Sequence, residues 1–277
     1  MEGGVPVQSK KKKQPLRGWQ TAALVLLVLL LLMLAILALI RHGDSHGSTI
    51  RSNRYDASAF YRQDGFLRYS AAEHSIGIDV SVYQDQIDWQ RVREAGVEFA
   101  ILRIGLRSAN EGLLYEDTRF RENYDGAKAA GIKLGVYFFS QAQSEADARQ
   151  EADFVCQLLQ DRTLELPVFF DWEPVEGGLL SQNPSLLPLT QCAVTFCRAM
   201  EAQGYSAGVY FNQTYGYRYY DLGMLQDFTL WLAEYNETPG FDHHFDILQY
   251  SDNGRVDGIS GKVDLDLWIL PEKEENS

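Results

Sequence analysis

Hydrophobic positions along the 277-residue chain fall into three regimes. From Thr21 to Ile40 they are continuous and uncharged, "TAALVLLVLLLLMLAILALI". After Arg41 they thin out into a polar, turn-rich stretch, "RHGDSHGSTIRSN", followed by scattered aromatics at Phe60, Tyr61, Phe66 and Tyr69 with Leu67 between them. From Ser75 onward short apolar runs alternate with amphipathic ones, the pattern of strands alternating with helices.

"IGIDVSVY" reads as a strand, and "DWQRVREAG" as a helix begun by Asp88 and stopped by Gly96. "FAILRIGL" and "DTRFRENYDGAKAAG" repeat the unit, as do "KLGVYFFS" with "SEADARQEADFVCQLLQ" and "LPVFFDWE" with "LTQCAVTFCRAMEAQG". "SAGVYFNQ" is a fifth strand, after which "FTLWLAEY", "FDILQYS" and "VDLDLWI" follow with little room for helices. Strands apolar on both faces and joined by helices predict a parallel sheet buried on both sides. Eight strands in about 195 residues predict an α/β barrel of the TIM type whose last part lacks helices. A doubly wound open sheet is the alternative, weakened because no glycine-rich phosphate loop follows the first strand.

Ala22 to Ile40, as a helix, would span about 28 Å, enough to cross the hydrocarbon core. A cleaved signal peptide competes, but its apolar region is normally shorter and ends in small residues, whereas this run meets Arg41 directly. Lys10, Lys11, Lys12, Lys13 and Arg17 precede the span, which puts the N-terminus in the cytoplasm and the remainder outside. The expected organisation is a basic tail at 1–20, a transmembrane signal anchor at 21–40 and an extracellular linker at 41–74. A catalytic domain at 75–270 and a charged tail at 271–277 complete it. The chain's net charge is −13 although its first forty residues are basic, so the outward part is strongly acidic. Nucleic acid and anionic lipid surfaces are poor partners for it.

Cys156, Cys192 and Cys197 are the only cysteines and fall in helical segments, where buried apolar packing is the simplest role. The five histidines show no metal-ligand spacing, and neither a metal nor a cofactor is implied.

"PVFFDWEP" ends an apolar strand in two carboxylates. Residues i and i+2 share a face, so Asp171 and Glu173 lie together at the C-terminal end of the strand, with Trp172 turned away. That end is where a parallel barrel keeps its chemistry, and Asp79 holds the same level in the first strand. Close carboxylates cannot both ionise easily, which keeps an acid protonated near neutral pH. An isolated pair of this kind can equally cap a following segment; convergence with Asp79 favours chemistry. Tyr137, Phe139, Tyr210, Phe211, Trp231, Tyr235 and Tyr250 are expected around the acids, with Gln249 among the substrate-binding residues. An acid-lined aromatic cleft suits sugar binding and glycosidic cleavage.

"GIDVSVYQDQIDWQRVREAGVEFAILRIG", "AKAAGIKLGVYFFS", "LPVFFDWE", "GVYFNQ", "WLAEYN" and "LQYSDNGRVDGISGKVDLDLW" together resemble glycoside hydrolase family 25, the Chalaropsis-type muramidase lysozymes. The resemblance covers residues 75–270. It implies a (β/α)5β3 barrel that cleaves the β-1,4 bond between N-acetylmuramic acid and N-acetylglucosamine in peptidoglycan, the implied partner being glycan strands. Glu173 matches the family's proton donor, Asp171 its carboxylate partner, Asp79 the acid of the first strand and Asp264 the late aspartate. Asp264 starts its strand, so it reaches the catalytic rim only if that strand runs antiparallel. The family usually carries aliphatic residues where Phe170 and Trp172 stand, which bears on substrate preference. Two other readings compete. An inactive glycan-binding tether between membrane and wall is disfavoured by the intact acids. A chitinase-like hydrolase would need acids where Leu166 and Phe169 stand.

Overall fold

The structure, a computed structural model, describes Leu26 and residues 50–160, 162–178, 188–236 and 238–270. The expected cytoplasmic tail, the anchor (Leu26 apart) and the charged tail at 271–277 lie outside the described residues. Among those described, no helix is long and apolar enough to cross a membrane.

A hairpin of β1 (Phe60–Gln63) and β2 (Phe66–Tyr69) precedes the main sheet. Eight strands then close into a barrel. They are β3 (His74–Val80) and β4 (Phe99–Arg107), then, beyond the short outlying β5 (Leu114–Glu116), β6 (Lys133–Ser140), β7 (Val168–Trp172), β8 (Ala207–Asn212), β9 (Thr229–Ala233), β10 (Ile247–Gly254) and β11 (Val263–Ile269). β3, β4, β6, β7, β8, β9 and β10 pair in parallel, whereas β11 runs antiparallel to both β10 and β3 and closes the ring between them. This is the expected (β/α)5β3 arrangement.

Among the described residues from 50 to 270 the α-helices are α1 (Trp89–Glu94), α2 (Phe120–Ala129), α3 (Glu145–Leu159), α4 (Leu189–Glu201), α5 (Gln213–Arg218) and α6 (Leu222–Leu225). Asp88 and Ser144 cap α1 and α3 by accepting the backbone N–H groups of Arg91 and Asp147. Gly131, at φ 73°, supplies the left-handed turn after α2. The last two helices fill the connection between the fifth and sixth barrel strands, ahead of the three strands with little room between them. They are short, and Asn212 starts the first by accepting from the N–H of Tyr215. The three cysteines lie in α3 and α4 as free thiols.

Period-two alternation sorts the barrel side chains. Ile78, Leu102, Val136, Phe170 and Val209 face outward into one large core beneath the helices. Phe99, Ile101, Phe169, Trp231 and Ile247 fill the lumen as a second cluster. A glycine makes room within it: a Cβ on Gly77 would sit 2.2 Å from the ring of Phe99, so only glycine lets that ring cross the first strand.

The stretch expected to be a linker, its aromatic part resting on the domain surface, is built into the fold from Arg51 onward. Asn53 donates from its side chain to the carbonyl of Phe241 at 2.8 Å, and the Tyr55 hydroxyl to that of Phe245 at 2.5 Å. Phe66, Leu67 and Tyr69 are buried, and the Leu67 N–H donates to the Tyr250 hydroxyl at 3.2 Å. The physical reason is the aromatic content of β1 and β2: apolar area of that size is stabilised by burial against the barrel rather than left in water. Leu67→Ala should therefore lower the unfolding free energy by about 2–4 kcal/mol in denaturant titration. A change within about 0.5 kcal/mol would mark the hairpin as a mere tether.

Candidate active site

The alternation that builds the core also builds the site. On β7, Val168, Phe170 and Trp172 face the outer core, while Phe169 and then Asp171 face the lumen. Glu173 follows at the strand's C-terminal end, its backbone carbonyl held by the side-chain amide of Gln141 at 2.7 Å. On β3, Asp79 stands one step above Gly77 and lines the same cleft. Because β11 runs against its neighbours, its first residues reach the rim where the parallel strands end. Asp264 lies opposite Asp79 and Asp266 opposite Gly77. The antiparallel direction that Asp264 required is present.

The cleft, about 260 Å³, is lined by Asp79, Asp171, Glu173 and Asp264 together with Tyr137, Phe139, Tyr210, Trp231, Tyr235 and Gln249. The three acids and the expected substrate-binding residues Asp264, Tyr137, Tyr210, Trp231, Tyr235 and Gln249 thus line one cleft. Phe211 and Tyr250 do not. Each neighbours an inward residue, Tyr210 or Gln249, so alternation turns it into the outer core. Phe170 and Trp172 likewise pack outward, against Phe196 and Tyr215, and do not touch the cleft.

A directional network orders the floor. The hydroxyls of Tyr210 and Tyr235 donate to Oε1 of Gln249 at 3.0 and 2.9 Å. Nε2 of Gln249 donates to Oδ2 of Asp79 at 2.7 Å. Trp231 packs edge-on against Tyr210 and Phe169, with centroids 4.7 and 5.1 Å apart, and its indole N–H donates to Oδ1 of Asp266 at 2.9 Å. Arg103 is the one cation lining the cleft among the described residues. It is tied to Asp117 at 2.7 Å and lies over the ring of Tyr83.

Too little positive charge is present for so many acids. Burial, then the charge of Glu173, pushes Asp171 well above the usual carboxylate range, with Arg103 opposing. Burial and the neighbouring Asp264 raise Glu173. Asp79 is pushed up by burial and by Asp264 and Asp266, and Asp266 by burial above all. Asp264, less enclosed, rises to about 6 through burial and Asp252. Protonated carboxyls near neutral pH beside aromatic surface can donate a proton to a sugar oxygen.

Ser81, Tyr83, Gln84 and Arg103 of the lining, and Asp266 buried beside it, were not singled out from the sequence. Asp266 carries the same signal as the opening pair, an i, i+2 spacing in "VDLDLWI", but a parallel strand would have placed it deep in the lumen. Arg103 sits in "FAILRIGL", where a lone arginine inside an apolar strand marks a paired, inward charge.

The model of the glycosyl hydrolases family 25 matches residues 78–259. The chain belongs to this family. The matched segment contains Asp79, Asp171 and Glu173 and ends short of β11. An autolytic lysozyme of Clostridium acetobutylicum is 34% identical over 193 residues, covering 69% of this chain and 54% of that protein. Lysozyme M1 of Streptomyces globisporus is 30% identical over 202 residues, covering 68% and 65%. The chain thus spans roughly half to two thirds of these relatives' length. The crystal structure of a bacterial lysozyme from Streptomyces coelicolor aligns with a TM-score of 0.56 at 26% identity, over 69% of this chain and 90% of that one. The modular autolysin LytC from Streptococcus pneumoniae, in complex with a synthetic peptidoglycan ligand, shares the fold with a TM-score of 0.65 at 20% identity, over 76% and 52%.

The raised acids carry a stability signature. Between the ordinary carboxylate range and about 6, folded Asp264 holds a proton that the unfolded chain has released. Folding takes up protons there, so this group's contribution falls as pH rises through that window and levels above it. Asp79, Asp171 and Asp266 act in the same direction. Asp264→Asn should raise the thermal midpoint at pH 7 by roughly 2–4 °C, allowing for its partial exposure, and by less at pH 4.5. An equal shift at both pH values would contradict the assignment.

Proposed function

We propose that the protein is a peptidoglycan hydrolase of the muramidase type, cleaving the β-1,4 bond between N-acetylmuramic acid and N-acetylglucosamine. The observation that carries this reading is the pairing of Asp171 and Glu173 at the barrel mouth, both held above the usual carboxylate range. The relatives named lysozymes support the substrate class.

Glu173, protonated through burial, donates its proton to the glycosidic oxygen as the bond breaks. Asp171 comes from the same strand, so it approaches the sugar from a neighbouring direction rather than from the opposite face. It lines the cleft, where its carboxylate can accept from the N–H of the substrate's 2-acetamido group. Oriented in this way, the acetamido oxygen attacks the anomeric carbon and closes a cyclic intermediate. Glu173, now ionised, activates the water that reopens it, giving net retention. Asp79 and Asp264 set the local charge, and the tyrosines and Trp231 provide surface for the sugar rings.

The uncharged run at 21–40 and the lysines before it support a single-pass anchor with the N-terminus in the cytoplasm and the barrel outside. The enzyme would trim the wall layers nearest the membrane, in cell-wall remodelling.

Full-length protein in detergent should release fragments whose reducing ends are N-acetylmuramic acid by mass spectrometry; N-acetylglucosamine ends would contradict the reading. Glu173→Gln should lower turnover by about 10³-fold while leaving glycan binding intact, because it removes the proton and keeps the shape. Asp171→Asn should cost about as much, since the two act as a unit. Protease added to protoplasts should remove the barrel while the N-terminal segment stays in the membrane fraction. Soluble protein beginning near residue 41 would instead show cleavage.

A further inference from the structure

Asp266 is a fully buried carboxyl group that the mechanism above does not use. It lies on β11 opposite Gly77 of β3 and Gln249 of β10. Its Oδ1 accepts from the indole of Trp231, and its Oδ2 is buried without a donor. The groups facing it are Asp79 from β3, Trp231 from β9, Gln249 and Tyr250 from β10, and Asp264 from its own strand. No cation is among them. An ionised carboxylate there would be an unpaired buried charge, which folded proteins avoid by neutralising the group.

The surrounding bonds decide where the neutralising proton resides. Two tyrosine hydroxyls donate to Oε1 of Gln249, so its amide nitrogen must face Asp79, whose Oδ2 is therefore an acceptor. Indole is a donor only, so Oδ1 of Asp266 is an acceptor as well. The oxygen left over is Oδ2 of Asp266, and Asp79 is within its hydrogen-bonding reach.

We propose that Asp266 is a positioning residue held as a neutral carboxylic acid, whose Oδ2–H donates to Asp79 while its Oδ1 anchors the Trp231 indole. The bonds then run in one sense, from Trp231 to Asp266 to Asp79, with Gln249 meeting Asp79 from the other side. Asp79 is thereby kept as an oriented anion beside the reacting pair, and the indole at the floor of the cleft is fixed in place. The proton stays on Asp266 through the cycle, with no net transfer. The catalytic consequence rests on the proposed hydrolase activity; the protonation state does not.

The infrared difference spectrum between the full-length protein and its Asp266→Asn variant at pH 7 should contain one carboxylic-acid carbonyl band that belongs to Asp266. An asparagine reproduces both bonds, with its amide donating to Asp79 and its oxygen accepting from Trp231. Asp266→Leu should lower kcat by about 10–100-fold and move the acid limb of the rate profile to higher pH, because Asp79 loses a donor to its ionised form. Asp266→Asn should restore both to within a few-fold of the unaltered protein. An asparagine variant as impaired as the leucine one, or a difference spectrum with no carboxylic-acid carbonyl band, would overturn the assignment. If the leucine variant fails to fold, the asparagine variant and its spectrum still decide. The infrared result needs no turnover, so it separates failure here from failure of the proposed activity.

Discussion

Closure of the sheet by a strand running against the rest is the constraint on which the site depends. Seven barrel strands run the same way, and their C-terminal ends define one rim. Inserted between β10 and β3, β11 brings its beginning to that rim, so "VDLD" delivers Asp264 and Asp266 to the face that already carries Asp79. A parallel eighth strand would have sent those two carboxyls toward the opposite end. With β7 supplying Asp171 and Glu173, four acids line one mouth above the buried Asp266, and Arg103 is the single cation lining the cleft among the described residues.

Such a cluster is unfavourable in itself, and two features let the fold carry it. Outside the barrel, the large core beneath the helices supplies the stabilising burial. Inside, the rings of Phe169, Tyr210 and Trp231 make a dry floor directly below the acids. The dry floor raises the carboxyl groups, and raised carboxyl groups are what proton donation to a sugar requires. Stability yielded near neutral pH and the chemistry proposed for the site therefore have one cause. The ordered network through Gln249 limits the penalty by giving Asp79 a donor and each tyrosine hydroxyl an acceptor.

Much of this was legible from spacing. Asp171 and Glu173 announce themselves because two charges interrupt a buried run at the strand period, and the helix starts at Asp88 and Ser144 and the stop at Gly131 follow from cap chemistry. Asp264 could be named only conditionally, since its position depends on a strand direction that local pattern does not encode. Asp266 was lost for the same reason. Phe211 and Tyr250 show a different failure: aromatic character was weighed without the alternation that sends each away from its inward neighbour. The aromatics of residues 60–69 argue that this part of the linker lies on the domain, but its strands and their partners near 241–250 are contacts too distant in sequence for a local pattern to hold.

The account stands on carboxyl groups whose proton affinity is raised by a crowded, dry barrel mouth. A carbon-13 NMR titration of the side-chain carboxyl groups tests that directly. Asp79, Asp171, Glu173 and Asp266 should titrate above the ordinary carboxylate range and Asp264 near 6, with Glu173 falling when Asp264 is changed to asparagine. Five ordinary midpoints, each indifferent to its neighbours, would contradict it.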